Sequence, residues 1–173
     1  MNAEYTHLRD NAPAPCFHNR QPGSLVIFRA LQLGDMLCAV PALRALRCAL
    51  PAVRISLVGL PWARQFAERF AMYVDEFLEF PGHEAFPEQE VRIDRIPEFY
   101  ESVRARRFDL AIQMHGSGQI SNMIVQSFGA RCVAGFGLPA NEGCNKDDCF
   151  FPYPDSGPEP LRLLELTELL GAP

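Results

Sequence analysis

The run SLVIFRALQLGDMLCAVPALRALRCALP, residues 24–51, decides the fold. Its opening, SLVIFRA (24–30), is continuously apolar from Leu25 to Phe28 and is closed by Arg29. A strand with one wet face would alternate, so this is the pattern of a strand buried on both faces, the situation inside a parallel sheet. Gly34 and Asp35 interrupt the apolar text, and a helical rhythm follows: Leu37, Val40, Leu43, Leu46 and Leu50 recur at steps of three and four between Met36 and Leu50. That spacing predicts an amphipathic helix able to lie on the sheet. Pro41 falls inside it. Lacking an amide hydrogen and clashing with the carbonyl four residues back, it requires the helix to kink or to begin anew.

The alternation is repeated down the chain. RISLVGL (54–60) predicts a second buried strand, PWARQFAERFA (61–71) a helix with proline tolerated in its first turn, and EFLEF (76–80) a short third strand. A loop rich in Pro, Gly and Glu spans 81–92. Beyond it, IPEFYESVRARR (96–107) predicts a helix with basic residues in its last turn, and DLAIQMH (109–115) a fourth strand. SNMIVQSFG (121–129) predicts a short helix stopped by Gly129, and RCVAGF (131–136) a fifth strand. Residues 137–160, with many prolines and an NKDD patch, are expected to be one long irregular connection before a last helix over 159–173 that reaches Gly171. Strands and helices alternating at these lengths specify an α/β fold, a Rossmann-like open parallel sheet with helices on both faces.

The totals bound the partners. At 173 residues, 48% hydrophobic and 21% charged, the chain has the balance of a globular protein with a sizeable core. A formal charge of −5 does not supply the concentrated basic surface that phosphate neutralisation needs, so nucleic acid is not expected as a partner and small molecules are. Residues 1–22 hold no apolar run of secretory-signal length and are expected to form a disordered leader, and no stretch approaches a transmembrane span. The six cysteines are too sparse for a disulfide framework. Cys38, Cys48 and Cys132 fall in predicted helices or strands, where a reduced thiol packs as a small hydrophobe, and a cytoplasmic location follows. Cys144 and Cys149 flank Asp147 and Asp148, but without a CxxC or a histidine pair they do not compose a zinc site, and no metal is expected.

In open parallel sheets ligands bind outside the carboxyl ends of the strands, where the loops after strands one and four face a common crevice. Asp35 stands there and admits two readings. As a helix N-cap its carboxylate would accept backbone N–H groups, worth about 1 kcal/mol. As a general base it would be held ionised by the helix N-terminus and aimed into the crevice. Nicotinamide and ATP chemistry are not supported, because G-x-G-x-x-G and G-x-x-x-x-G-K-[ST] are both missing and only Gly34 is present. HGSG (115–118) closes strand four at the same edge. Gly116 and Gly118 permit close approach to the backbone, Ser117 can donate or accept, and His115 could meet a hydroxyl or phosphate; the alternative is an ordinary β-α turn. Arg29 closes strand one as an ion-paired residue or an anion binder. Arg104, Arg106 and Arg107 read as a solvated helix end, and Trp62 as packing rather than sugar stacking.

On these elements the sequence resembles the family 9 glycosyltransferases, the lipopolysaccharide heptosyltransferases. The resemblance is carried by LVIFRALQLGDMLCAVPALRALRCALPAVRISLVGLPWA (25–63), FDLAIQMHGSGQISNMIVQSFGARCVAGF (108–136) and FFPYPDSGPEPLRLLELTELLGAP (150–173). The Gly-Asp pair followed by P-A-L-R-A-L is its more specific part. It implies a two-domain GT-B enzyme whose N-terminal half receives the acceptor and whose C-terminal half holds an ADP-heptose donor. Transfer would be by metal-independent inverting displacement with no cofactor beyond the nucleotide-sugar, at the inner face of a bacterial inner membrane. By that resemblance Asp35 is the base, and Arg29, Gly34, His115, Gly116 and Ser117 line the acceptor side. Residues 23–157 would then be the acceptor-binding domain, and 158–173 a helix and linker toward a donor-binding domain that this chain lacks. The isolated chain is expected to be inactive. The rival readings are a degenerate, non-catalytic binding module and, more distantly, a flavodoxin-like regulatory domain.

Overall fold

The computed structural model describes residues 21–137 and 148–172. All but the last two residues of the expected leader, and Cys144, lie outside that range. Strand β1, Ser24–Phe28, is apolar from Leu25 onward, and Leu25, Val26, Ile27 and Phe28 are all fully buried. It pairs in parallel with β2 (Arg54–Gly59) on one side and β4 (Leu110–Gln113) on the other. β3 (Glu76–Glu79) lies outside β2, while β5 (Cys132–Phe136) and β6 (Cys149–Phe151) continue beyond β4, so the order is β3-β2-β1-β4-β5-β6, all parallel.

Successive side chains of a strand point to opposite faces, and the sheet therefore separates two apolar cores. Leu25, Ile27, Ile55, Leu57, Leu110 and Ile112 face helices α1 (Leu33–Cys38), α2 (Val40–Ala49), α3 (Ala63–Arg69) and α6 (Glu159–Leu170). Val26, Phe28, Val58, Ala111 and Val133 face α4 (Ile96–Ala105), which follows a 3-10 turn at Ile93–Arg95, and α5 (Ser121–Gln126). The open parallel sheet with helices on both faces is thus the observed architecture.

Pro41 acts by the second of its two routes: the first helix stops at Cys38 and a new one begins at Val40, with Pro41 in its first turn, where the missing amide costs nothing. Two expectations are corrected. Within residues 137–160, expected to be irregular throughout, Cys149–Phe151 adds a sixth strand beside β5, with Ala134, Gly135 and Phe136 facing Cys149, Phe150 and Phe151. Three residues carry no periodicity, so only the neighbouring strand reveals them. Against the expectation that the cysteines make no disulfides, Cys149 is disulfide-bonded, while Cys38 and Cys48 carry free thiols.

Helix α6, read as the beginning of a linker, buries Leu163, Leu166 and Leu170 in the first core and packs along α2. Gly171, with φ 102°, closes it, and the Ala172 N–H returns to the Thr167 carbonyl at 2.8 Å.

The opposite, amino end of the sheet is fixed by a repeated device. Asp75, Asp109 and Asp148 each immediately precede a strand and accept a backbone N–H from the strand beside it. Asp75 takes Ile55 (2.7 Å), Asp109 takes Gly23 (2.7 Å) and Ser24 (3.1 Å), and Asp148 takes Val133 (2.7 Å). A carboxylate accepting backbone N–H groups makes a charge-assisted bond, and each of these also holds the register of its strand pair.

Candidate functional site

The strand order changes direction between β1 and β4, so the crevice of this fold lies outside their carboxyl ends. Two loops meet there, 29–32 after β1 and 114–120 after β4. Phe28 and Met114 join across the strands, with the Met114 N–H donating to the Phe28 carbonyl at 3.0 Å.

Asp35 sits in the first turn of α1, but the helix starts at Leu33, one residue before the Gly-Asp pair. Gln32 is the N-cap and makes no side-chain cap bond, and Asp35 is the third helical residue. The N-cap reading of Asp35 therefore does not hold. Its side chain is exposed and its carboxylate has no hydrogen bond or ion pair among the described residues. Only Met36 of α1 is buried. Gly34 is equally exposed, has no positive φ, and an added Cβ would meet nothing within 4 Å. The fold gives no reason for glycine here, and glycine inside a helix costs about 1 kcal/mol relative to alanine.

Arg29 is only 1% exposed and is bound inside the chain rather than open to a ligand. Nε and Nη2 donate to the Asp35 backbone carbonyl at 2.9 and 2.8 Å, Nη1 donates to the Met114 carbonyl, and Nη1 and Nη2 reach Glu159 Oε1 at 3.4 and 3.5 Å. Burial lowers its pKa against the opposing pull of the Glu159 carboxylate. The guanidinium ties the end of β1 to the first turn of α1, the end of β4 and the start of α6. Glu159 is held in turn by the Tyr153 hydroxyl (3.1 Å) and by Arg162 (3.6 Å).

His115 is half-buried against two rings, Phe28 at 5.2 Å and Phe86 at 4.3 Å, both stacked. Its Nδ1 accepts the Ala30 N–H at 3.3 Å, which joins the two loops directly. Burial, with a smaller contribution from the positive charge of Arg29, pushes its pKa from 6.5 down to about 4. Gly116 has φ 64° with open space around an added Cβ, and Ser117 is exposed. Gly118 is required by the fold: at φ 88°, a Cβ would lie 2.1 Å from the Phe136 carbonyl oxygen and 2.4 Å from Asn122 Nδ2.

Several residues that shape the crevice escaped the sequence reading. Gln113, fully buried, donates from Nε2 to the His115 (2.6 Å) and Gly116 (3.1 Å) carbonyls, and its Oε1 accepts the Phe136 N–H at 3.2 Å. Ser121 Oγ also donates to the His115 carbonyl, at 2.8 Å, and Asn122 Nδ2 donates to the Phe136 carbonyl at 2.9 Å. The available signal was a glutamine inside an otherwise apolar strand. Phe86 comes from the loop after β3, which the Gln32 side chain also reaches at the Glu88 carbonyl, 3.5 Å away. Among the described residues no His/Cys/Asp/Glu group could hold a metal ion. Trp62 packs against both cores, and Arg104 and Arg106 bond to the Ser127 and Ser102 carbonyls at the helix end, away from the crevice.

No family model matches the sequence, and no curated protein is a significant match. Solved structures do share the fold, which is that of glycosyltransferases. A family 9 glycosyl transferase from Veillonella parvula superimposes with a TM-score of 0.67 at 18% identity, over 87% of this chain and 42% of that one. The E. coli heptosyltransferase WaaC with ADP-2-deoxy-2-fluoro heptose gives 0.66 at 17% identity, over 87% and 49%, and the same enzyme with ADP gives 0.60 at 18%, over 87% and 48%. The chain spans about half the length of the structures it matches. No helix among the described residues is long and apolar enough to cross a membrane.

Proposed function

We propose that this chain is the N-terminal, acceptor-binding half of an inverting GT-B glycosyltransferase that transfers heptose from ADP-heptose to the lipopolysaccharide inner core. The observation that carries the reading is the Gly34-Asp35 pair: a carboxylate exposed and without a partner among the described residues, beside a glycine the fold does not need, at the carboxyl edge of β1. It lies in a fold shared with heptosyltransferases. Asp35 takes the proton of the acceptor hydroxyl as its oxygen attacks the anomeric carbon. The bond from that carbon to the diphosphate breaks, and ADP leaves with the electron pair. No metal or cofactor enters these steps. The charge on the departing diphosphate needs preorganised donors, which a donor-binding half would supply. The reaction belongs at the cytoplasmic face of the inner membrane, with the chain in peripheral contact. Residues 158–173 are the approach to the second half.

The second reading is a binding module that keeps the fold without transfer. Fusing the chain to the donor-binding half of a heptosyltransferase distinguishes the two. Heptose transfer by the fusion, lost in Asp35→Asn and absent from the chain alone, supports the first reading. A correctly folded fusion that binds ADP-heptose and transfers nothing refutes it.

A further inference from the structure

A histidine in a crevice is the group most often used to move a proton, so His115 competes with Asp35 for the role of base. The surroundings of its ring decide between them. Phe86 at 4.3 Å and Phe28 at 5.2 Å both stack on the imidazole and lie 6.3 Å from each other, so the ring is braced by an aromatic pair. Nδ1 accepts a backbone N–H, which requires that nitrogen to be unprotonated and puts the proton of the neutral ring on Nε2. The charged group facing it is the Arg29 guanidinium, which is itself buried and opposes a second proton. No carboxylate pairs with the ring among the described residues. His83, a further titratable group in contact with Phe86, lies tilted against that ring at 5.5 Å and uses its Nδ1 to accept the Ala85 N–H. Nε2 of His115 has no hydrogen-bond partner among the described residues and is not buried, so it is open as a donor at this edge of the sheet.

We propose that His115 serves the acceptor as a fixed, neutral Nε2–H donor to one of its oxygens and takes no part in proton transfer, which leaves proton abstraction to Asp35. This rests on the acceptor reading above and assigns the role of one residue in it. A neutral donor tolerates either a hydroxyl or a carboxylate oxygen as its partner, whereas an imidazolium would bind only anions strongly. Affinity for the acceptor should then be insensitive to pH in the range where an ordinary histidine titrates.

Two measurements on the full chain test this. Imidazole 15N spectra, with His115→Gln to assign the signal among the four histidines, should show a neutral Nε2–H tautomer from pH 8 to pH 5. A midpoint near 6.5, or the Nδ1–H tautomer, would overturn the proposal. Binding of a detergent-solubilised lipopolysaccharide inner-core acceptor is then measured from pH 5.5 to 8. Wild-type affinity should be flat within twofold, His115→Gln, which retains a donor amide, within about threefold of it, and His115→Phe about tenfold weaker. Equal affinity for His115→Phe and wild type would overturn the donor role. Failure of the wild-type chain to bind the acceptor at any pH would refute the acceptor reading and this role with it, while the spectra would still show whether the imidazole chemistry is as described.

Discussion

Replacing Arg29 with methionine tests whether the guanidinium is scaffolding rather than a ligand-binding group. Methionine keeps much of the volume and removes every donor. The loss leaves the Met114 carbonyl buried without this partner, strips two bonds from the Asp35 carbonyl, and unpairs Glu159 on the guanidinium side. Breaking a buried ion pair from one side costs about 3–5 kcal/mol. Here Glu159 is 22% exposed and retains Tyr153 and Arg162, and Asp35 is near solvent, so the lower end, about 3 kcal/mol, is expected. In a domain of this size that corresponds to a fall in Tm of roughly 6–12 °C. Thermal and urea unfolding followed by circular dichroism would measure it. Glu159→Gln alone should cost about 1 kcal/mol, and the double variant less than the sum, because the carboxylate that Arg29→Met strands is gone. Stability of Arg29→Met within 0.5 kcal/mol of wild type, or a double-mutant cycle with no coupling, would refute the clamp.

Gly34→Ala should stabilise the chain by a few tenths to about 1 kcal/mol in urea unfolding, since the helix gains a better residue and nothing blocks its Cβ, yet reduce transfer by the two-domain fusion. Gly118→Ala should prevent native folding or cost more than about 3 kcal/mol, whereas Gly116→Ala, strained only in φ, should cost about 1 kcal/mol; soluble yield and Tm separate them. Acid sensitivity should follow from His115. Its folded pKa of about 4 lies below the unfolded 6.5, so the unfolded chain binds the proton first and stability falls as pH drops through that window. Between pH 7 and pH 5 the loss from this group should be about 2 kcal/mol, absent in His115→Gln when both are compared by urea unfolding.

The two halves of the crevice were readable because each is local. A Gly-Asp pair at the end of an apolar run and an HGSG turn at the end of another are short motifs, and the position of both at one sheet edge follows from the alternation of strands and helices. The start of α1 lies three residues ahead of the expected one because its N-cap, Gln32, makes no side-chain bond and leaves no signature. What joins the halves was not readable, because every joining contact crosses a long stretch of sequence. Arg29 reaches Glu159, His115 lies under Phe86, and Gln113 fits only because Gly135 leaves room, an added Cβ there lying 2.8 Å from the Gln113 side chain.

These joining residues nonetheless share a feature that is visible in the text. Arg29 and Gln113 are each the first strongly polar residue after an apolar strand interior, in IFRA and in AIQMH. Such a position lies at the carboxyl edge but still within the sheet layer, so the side chain must be desolvated and must find partners inside the protein. Both do, and the partners are the backbone carbonyls of the neighbouring loop: Met114 and Asp35 for Arg29, His115 and Gly116 for Gln113. The groups proposed to meet a ligand, Asp35 and Ser117, stand further out, exposed and without a hydrogen bond among the described residues. In the proposed site, then, the polar residue closing each buried parallel strand supports the crevice, and the residues in the following turn are the surface offered to a ligand. Gln113→Leu puts this to the test in the fusion enzyme. It removes the supports of the 115–118 turn without touching the acceptor, so it should lower acceptor affinity and leave ADP-heptose affinity unchanged. Loss of both affinities together would mean that Gln113 holds up the domain as a whole and that the distinction between support and surface is wrong.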